Sequence, residues 1–132
     1  MIKLLTEKDV FLLSPALLAY IGDGTYELKA RDYLIKKGFR SLKELHEGAV
    51  SLVQATAQAR ALKGIKEELN SREQQIIRRG RNARTSGVPS GTEIMDYRLS
   101  TALEALFGYH YLCGNLERID ELWDKVIQEL KG

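Results

Sequence analysis

Residues 100–112 read STALEALFGYHYL, and no other stretch constrains the fold as strongly. Leu103, Ala105, Leu106, Phe107, Tyr109 and Leu112 point in every direction around a helix of 3.6 residues per turn. A helix that is apolar all round has to be enclosed by other elements. The rest of the chain must therefore supply partners whose apolar faces surround it. One charged side chain, Glu104, interrupts this core segment.

Helical periodicity supplies the partners, and no convincing alternating strand occurs. In SPALLAYIGDGTYELKARDYLIKKG, Ser14 is a cap candidate, Pro15 takes the first helical position and Gly38 follows the end. Leu17, Ile21, Leu28 and Ile35 form the expected buried line. Ser41 followed by Glu44 is a capping-box signature opening a helix that runs on through LHEGAVSLVQATAQARAL. A further helix starts at Asn70 or Ser71. The seven residues TSGVPSG, 85 to 91, are the one clear loop. The central helix runs from Met95 to Gly114, and Asn115 then caps an amphipathic last helix with Leu116, Ile119, Leu122, Trp123, Val126 and Ile127 facing inward. With no internal repeat and no dividing linker, the expectation is one all-α domain over residues 1–132.

Cys113 is the only cysteine. That excludes an intramolecular disulfide and a multi-cysteine metal site, and it fits a reducing cytoplasm, with the thiol as a small buried hydrophobe. The longest apolar stretch, Val10 to Gly22, is too short to span a membrane and contains Pro15. Glu7 and Asp9 before it are wrong for a signal peptide. A soluble, cytoplasmic protein is expected.

Two acids stand where a core is expected. Asp23 lies between Gly22 and Gly24 in the second of these segments, and each glycine costs about 0.5–1 kcal/mol relative to alanine in a helix interior. Its stripe is Ala19, Asp23, Glu27, whereas Glu104 shares a stripe with Thr101 and Gly108. The glycines remove volume where another backbone or a substrate could come close. A carboxylate on a core helix costs several kcal/mol unless it is paired, hydrogen-bonded or bound to a cation. Magnesium suits two carboxylates, because it binds through one or two of them plus waters and substrate phosphates. Zinc does not, given one cysteine and two histidines, His46 and His110, far apart in sequence. His110 reads as a packed or interface residue rather than a general base. An ion pair with an arginine, or two rim acids with no shared role, are the plainer alternatives.

Net charge is only +2, yet Arg60 to Arg84 holds eight basic residues against three acidic ones. Arg78, Arg79, Arg81 and Arg84 crowd the end of this stretch. Planar guanidiniums match phosphate oxygens, so a polyanion partner is indicated. With no aromatic residues interleaved, a backbone-reading mode suited to double-stranded RNA fits better than stacking on single strands. A solvated helix end, favourable to the helix dipole, is the alternative.

LAYIGDGTYEL, residues 18 to 28, resembles the signature helix of the ribonuclease III family, and STALEALFGYHYL resembles that family's second acidic helix. The short length, RRGRNAR and the helix order are similar to the mini-ribonuclease III branch, which lacks a separate double-stranded-RNA-binding domain. The resemblance covers essentially the whole chain. It implies a homodimeric, all-α endonuclease that cuts double-stranded RNA with Mg²⁺, leaves 5′-phosphate and 3′-hydroxyl ends, and trims large-subunit (23S) ribosomal RNA precursors. No small-molecule cofactor and no membrane are implied. The family's aspartate falls on Asp23 and its glutamate on Glu104, the expected metal ligands and catalytic pair. Outer acids of the larger enzymes fall on Ala16, Ala19 and Thr101, leaving room for more water, or for a second ion completed by RNA phosphates. Thr101 and Glu27 are the expected outer contacts, and the four arginines the expected grip on the duplex. A catalytically silent RNA-binding relative with the same fold, a helical DNA-binding module and a structural adaptor are the rivals.

Overall fold

The computed structural model describes residues 4–83 and 87–131. Helices α1 (Glu7–Phe11), α2 (Pro15–Lys36), α3 (Leu42–Val53) and α4 (Ala55–Ile65) are followed by a short 3-10 turn, Lys66–Glu68. Then come α5 (Ser71–Asn82), α6 (Ile94–Leu112) and α7 (Leu116–Lys131). No strand occurs among the described residues. Short polar side chains cap α1, α2, α3 and α5, whereas α4 and α6 start without a side-chain cap. Ser14 Oγ accepts from the Leu17 amide, Ser41 Oγ from that of Glu44, and Asn70 pairs reciprocally with Glu73. Gly38 ends α2 at φ 107°, a conformation that other residues adopt only with strain.

Helix α6 is enclosed as its sequence requires. Ala102, Leu103, Ala105, Leu106 and Phe107 are wholly buried, and α6 packs against α2, α4, α5 and α7. Tyr26 of α2 meets Phe107 and Trp123 edge to face at 5.1 Å each, tying α2, α6 and α7 together. Burial of one such aromatic contributes up to about 3 kcal/mol. Among the described residues no helix is long and apolar enough to cross a membrane.

Several expectations are corrected. The single helix expected after Ser41 is two, because Gln54 takes an extended backbone (φ −62°, ψ 153°) between α3 and α4. No glycine or proline marks that break. On α2 the buried line is Leu18, Gly22, Tyr26, Ala30 and Leu34, spaced four apart. Leu17, Leu28 and Ile35 are 54%, 67% and 50% exposed, with Ile21 half-buried beside them. The true line includes Gly22 and Ala30, which carry little hydrophobicity, so the bulkier leucines dominate the pattern. Leu116 also faces outward, at the first position of α7, and Cys113 is half-buried. Helix α1, capped by Thr6 and Asp9, has no counterpart in the expected order.

Candidate active site

Helices α2 and α6 cross backbone to backbone. A Cβ at Gly22 would stand 1.6 Å from the Glu104 carbonyl oxygen, and one at Gly108 would stand 1.9 Å from that of Leu18. Only glycine at both positions permits this approach. A Cβ at Gly24 would meet nothing within 4 Å, so the two glycines flanking Asp23 are not equivalent. Gly22 closes the helix pair, and nothing in the structure accounts for Gly24.

The crossing brings the two unusual acids together. Asp23 is exposed at the rim, while Glu104 is partly buried beside it. Burial, then the hydrogen bond and charge of Asp23, push the Glu104 carboxyl up to about 8, with the charge of Glu27 adding to them and a hydrogen bond from Gln58 opposing them. Neither acid forms an ion pair with lysine or arginine among the described residues. No group of three or more His, Cys, Asp or Glu among those residues is arranged to hold a metal. What remains is a pair of adjacent carboxylates lacking a counter-charge. Such a pair fits a small divalent cation, which needs only one or two protein carboxylates.

Around the pair, Thr101 donates its hydroxyl to the Tyr97 carbonyl at 3.0 Å, leaving its oxygen free to accept. Glu27 is bridged to Arg31 at 3.0 Å. Two residues that sequence reasoning misses also border Glu104. Gln58 of α4 is 2% exposed, and its Nε2 lies 3.5 Å from Glu104 Oε2. Tyr26, fully buried, carries a hydroxyl with no hydrogen-bond partner. Burial first, and the charge of Glu104 second, push that phenol far up.

The arginines separate. Arg78 is exposed. Arg79 is held inside the molecule, donating through Nη1 to the Phe11 carbonyl at 2.5 Å and through Nη2 to that of Leu13 at 2.7 Å. Its guanidinium also lies 5.1 Å from the Phe11 ring. It therefore joins α5 to the α1–α2 turn rather than facing a ligand. Arg81 is half-buried and lines a shallow groove with Lys63 and Lys66. Arg84 lies outside the described residues. Helix α5 crosses α6 at Ala102, where a Cβ on Gly80 would be 2.8 Å from the Ala102 Cα. Ala102 points about 160° around α6 from Glu104, so the arginine-bearing helix lies across α6 from the acids.

His110 is buried, as a packed residue should be, but in a polar network. Its Nε2 is 2.7 Å from Glu73 Oε2 and its Nδ1 is 3.1 Å from Asn115 Nδ2. Arg118 donates to both oxygens of Glu73, at 2.9 and 2.8 Å. Burial alone would raise Glu73. The hydrogen bonds of Arg118, His110 and the Asn70 amide, with the charge of Arg118, bring it down to about 2.

A family model described as Ribonuclease III domain matches residues 16–115. The chain is 39% identical to a Mini-ribonuclease 3 from Thermoanaerobacter sp. (strain X514), over 98% of this chain and 91% of that one. A Mini-ribonuclease 3 from Symbiobacterium thermophilum is 44% identical, over 83% and 85% of the two chains. A crystal structure of a Fusobacterium nucleatum protein, 30% identical, superposes with a TM-score of 0.79 over 87% of this chain and 93% of that one.

Proposed function

The chain belongs to the ribonuclease III family of endoribonucleases, which act on double-stranded RNA, and from that premise we propose that it is a magnesium-dependent enzyme of the mini-ribonuclease III kind. One observation carries this reading. Asp23 and Glu104, distant in sequence, lie side by side with Glu104 raised to about 8 and no lysine or arginine among the described residues paired with either. Asp23 and Glu104 are the residues that hold Mg²⁺ in this proposal. When bound, the ion supplies positive charge to the scissile phosphate and makes a water acidic enough to attack in line.

The protein's own part is to fix the distance between the two carboxylates through the α2–α6 crossing and to withhold lysine and arginine from them. Glu27 and Thr101 flank the pair and orient solvent around it. Arg78 and Arg81, with Arg84 continuing the run, contact duplex phosphates away from the cleaved bond. Leu17, Leu28 and Ile35, with Tyr20 (79% exposed) close by, give α2 an apolar outer face that supports a homodimer. Two protomers then offer one acid pair to each strand. The substrate in this reading is the large-subunit ribosomal RNA precursor, in the cytoplasm.

The test is incubation with a plain RNA duplex, the single strands and the matching DNA duplex, each with and without Mg²⁺, followed by a transcript of the 23S precursor. The RNA duplex alone should be cut, only with Mg²⁺, leaving 5′-phosphate ends. Asp23→Asn should fold and bind duplex RNA without cutting it. Cleavage by Asp23→Asn at the parent rate would refute the assignment of the acid pair.

A further inference from the structure

We propose that Gln58 is a positioning residue for Glu104. In this role it holds one carboxylate oxygen through an uncharged hydrogen bond and leaves the other, together with Asp23, to a divalent cation. The inference rests on the two-carboxylate reading above. Gln58 is the fourth residue of α4, just beyond the break at Gln54, and is 2% exposed. Glutamine is mostly a surface residue, and burying its amide is unfavourable unless the amide finds a partner. Its only side-chain partner among the described residues is Glu104 Oε2, at 3.5 Å, a contact longer than the usual N–H···O bond. Asp23 aside, Glu104 receives no other side-chain hydrogen bond there.

The chemistry of the amide explains why this type of side chain suits the position. Asp23 and Glu104 together carry two negative charges when ionised, the charge that a divalent ion neutralises. Lysine or arginine at position 58 would pair with Glu104 and compete with the ion. Glutamate would add a third carboxylate. Methionine would fill the same volume but leave Oε2 without a donor in a partly dry site. An amide orients the carboxylate and leaves the charge of the pair unchanged. Groups of this kind around metal ligands typically change metal affinity or activity by about 10–100-fold when removed.

The experiment titrates the RNA-free protein with Mn²⁺, followed by its electron spin resonance signal, for the parent, Gln58→Met, Gln58→Glu and Asp23→Asn. Duplex cleavage is measured alongside across a range of Mg²⁺ concentrations. Gln58→Met should melt near the parent, bind Mn²⁺ at least about tenfold more weakly and keep its KM for the duplex. Its kcat should be low at low Mg²⁺ and recover as Mg²⁺ rises, which a loss of packing alone would not produce. Gln58→Glu should bind Mn²⁺ more tightly than the parent. If Gln58→Met binds Mn²⁺ like the parent while Asp23→Asn does not bind it, the role of Gln58 is overturned and the acid pair stands. If Asp23→Asn also binds Mn²⁺ unchanged, the acid pair falls and this inference with it. Should Gln58→Met fail to fold, Gln58→Glu decides, and an unaltered Mn²⁺ affinity overturns the proposal.

Discussion

Replacing Gly22 by alanine tests the crossing on which the candidate site depends. The added methyl would sit 1.6 Å from the Glu104 carbonyl oxygen, 2.5 Å from its carbon and 2.9 Å from the Gly108 nitrogen. All three are backbone atoms, so no side chain can swing aside. Ordinary contact requires the helices to part by about 2 Å in a close-packed core. Overpacking alone costs about 1–3 kcal/mol, and prising apart the central helix pair adds lost contacts along its length. Even after the gain of about 1 kcal/mol in helix propensity, the net loss should be at least about 3 kcal/mol. For a chain of this length that lowers Tm by roughly 10–20 °C. Gly24→Ala is the internal control. Nothing lies within 4 Å of its added methyl, so it should gain about 0.5–1 kcal/mol and melt a few degrees higher. Circular dichroism melts and urea titrations read both effects. Gly22→Ala should also lose cleavage where it still folds, since a shift of about 2 Å is as long as a Mg²⁺–oxygen bond. A Gly22→Ala protein that melts at or above the parent would show that the helices do not touch as described.

Arg79→Ala should lower stability by about 2–3 kcal/mol, because it strands the Phe11 and Leu13 carbonyls, while leaving RNA affinity intact. Arg78→Ala with Arg81→Ala should do the reverse and flatten the log–log salt slope of binding by about 2; binding isotherms over a salt series that show the opposite assignment would refute it. Stability of the metal-free protein should depend on pH through Glu104. Its carboxyl is raised from 4.5 to about 8 in the fold, so the stability it contributes is full below pH 4.5 and is lost as pH rises through about 8, by up to about 5 kcal/mol. Urea titrations from pH 5 to 9 in a chelator should show this decline, and Glu104→Gln should flatten it; parallel profiles would count against the buried pair. Leu28→Glu with Ile35→Glu should convert a homodimer to monomer in analytical ultracentrifugation, and an unchanged mass would place the dimer contact elsewhere.

Much of the helix order was legible because its punctuation is chemical. Ser14, Ser41 and Asn70 announce helix starts by accepting from amides, and they do so here. Asp23 and Glu104 stood out because carboxylates are costly in apolar surroundings. Gln58 did not, since a polar residue within ATAQARAL reads as part of an ordinary exposed face. Arg79 was hidden by its neighbours, as a run of four arginines says nothing about which one turns inward. The buried face of α2 is faint in the sequence for a related reason. A line built on glycine and alanine packs more closely than one built on leucine, but it is fainter to any pattern based on hydrophobicity. The roles of Gly22 and Gly24 differ only through α6, a distant part of the chain.

Two glutamates in this small molecule have met opposite fates. Glu73 is surrounded by donors and stays anionic down to about pH 2, acting as a permanent rivet between α5, α6 and α7. Among the described residues, Glu104 has as partners only one amide and a rival acid. His110, which serves the rivet, lies about 9 Å along α6 from Glu104 and about 120° around its axis. One helix thus insulates a satisfied acid from an unsatisfied one. A lysine or arginine on the Glu104 side of α6 would satisfy that carboxylate as Arg118 satisfies Glu73, and make it another rivet.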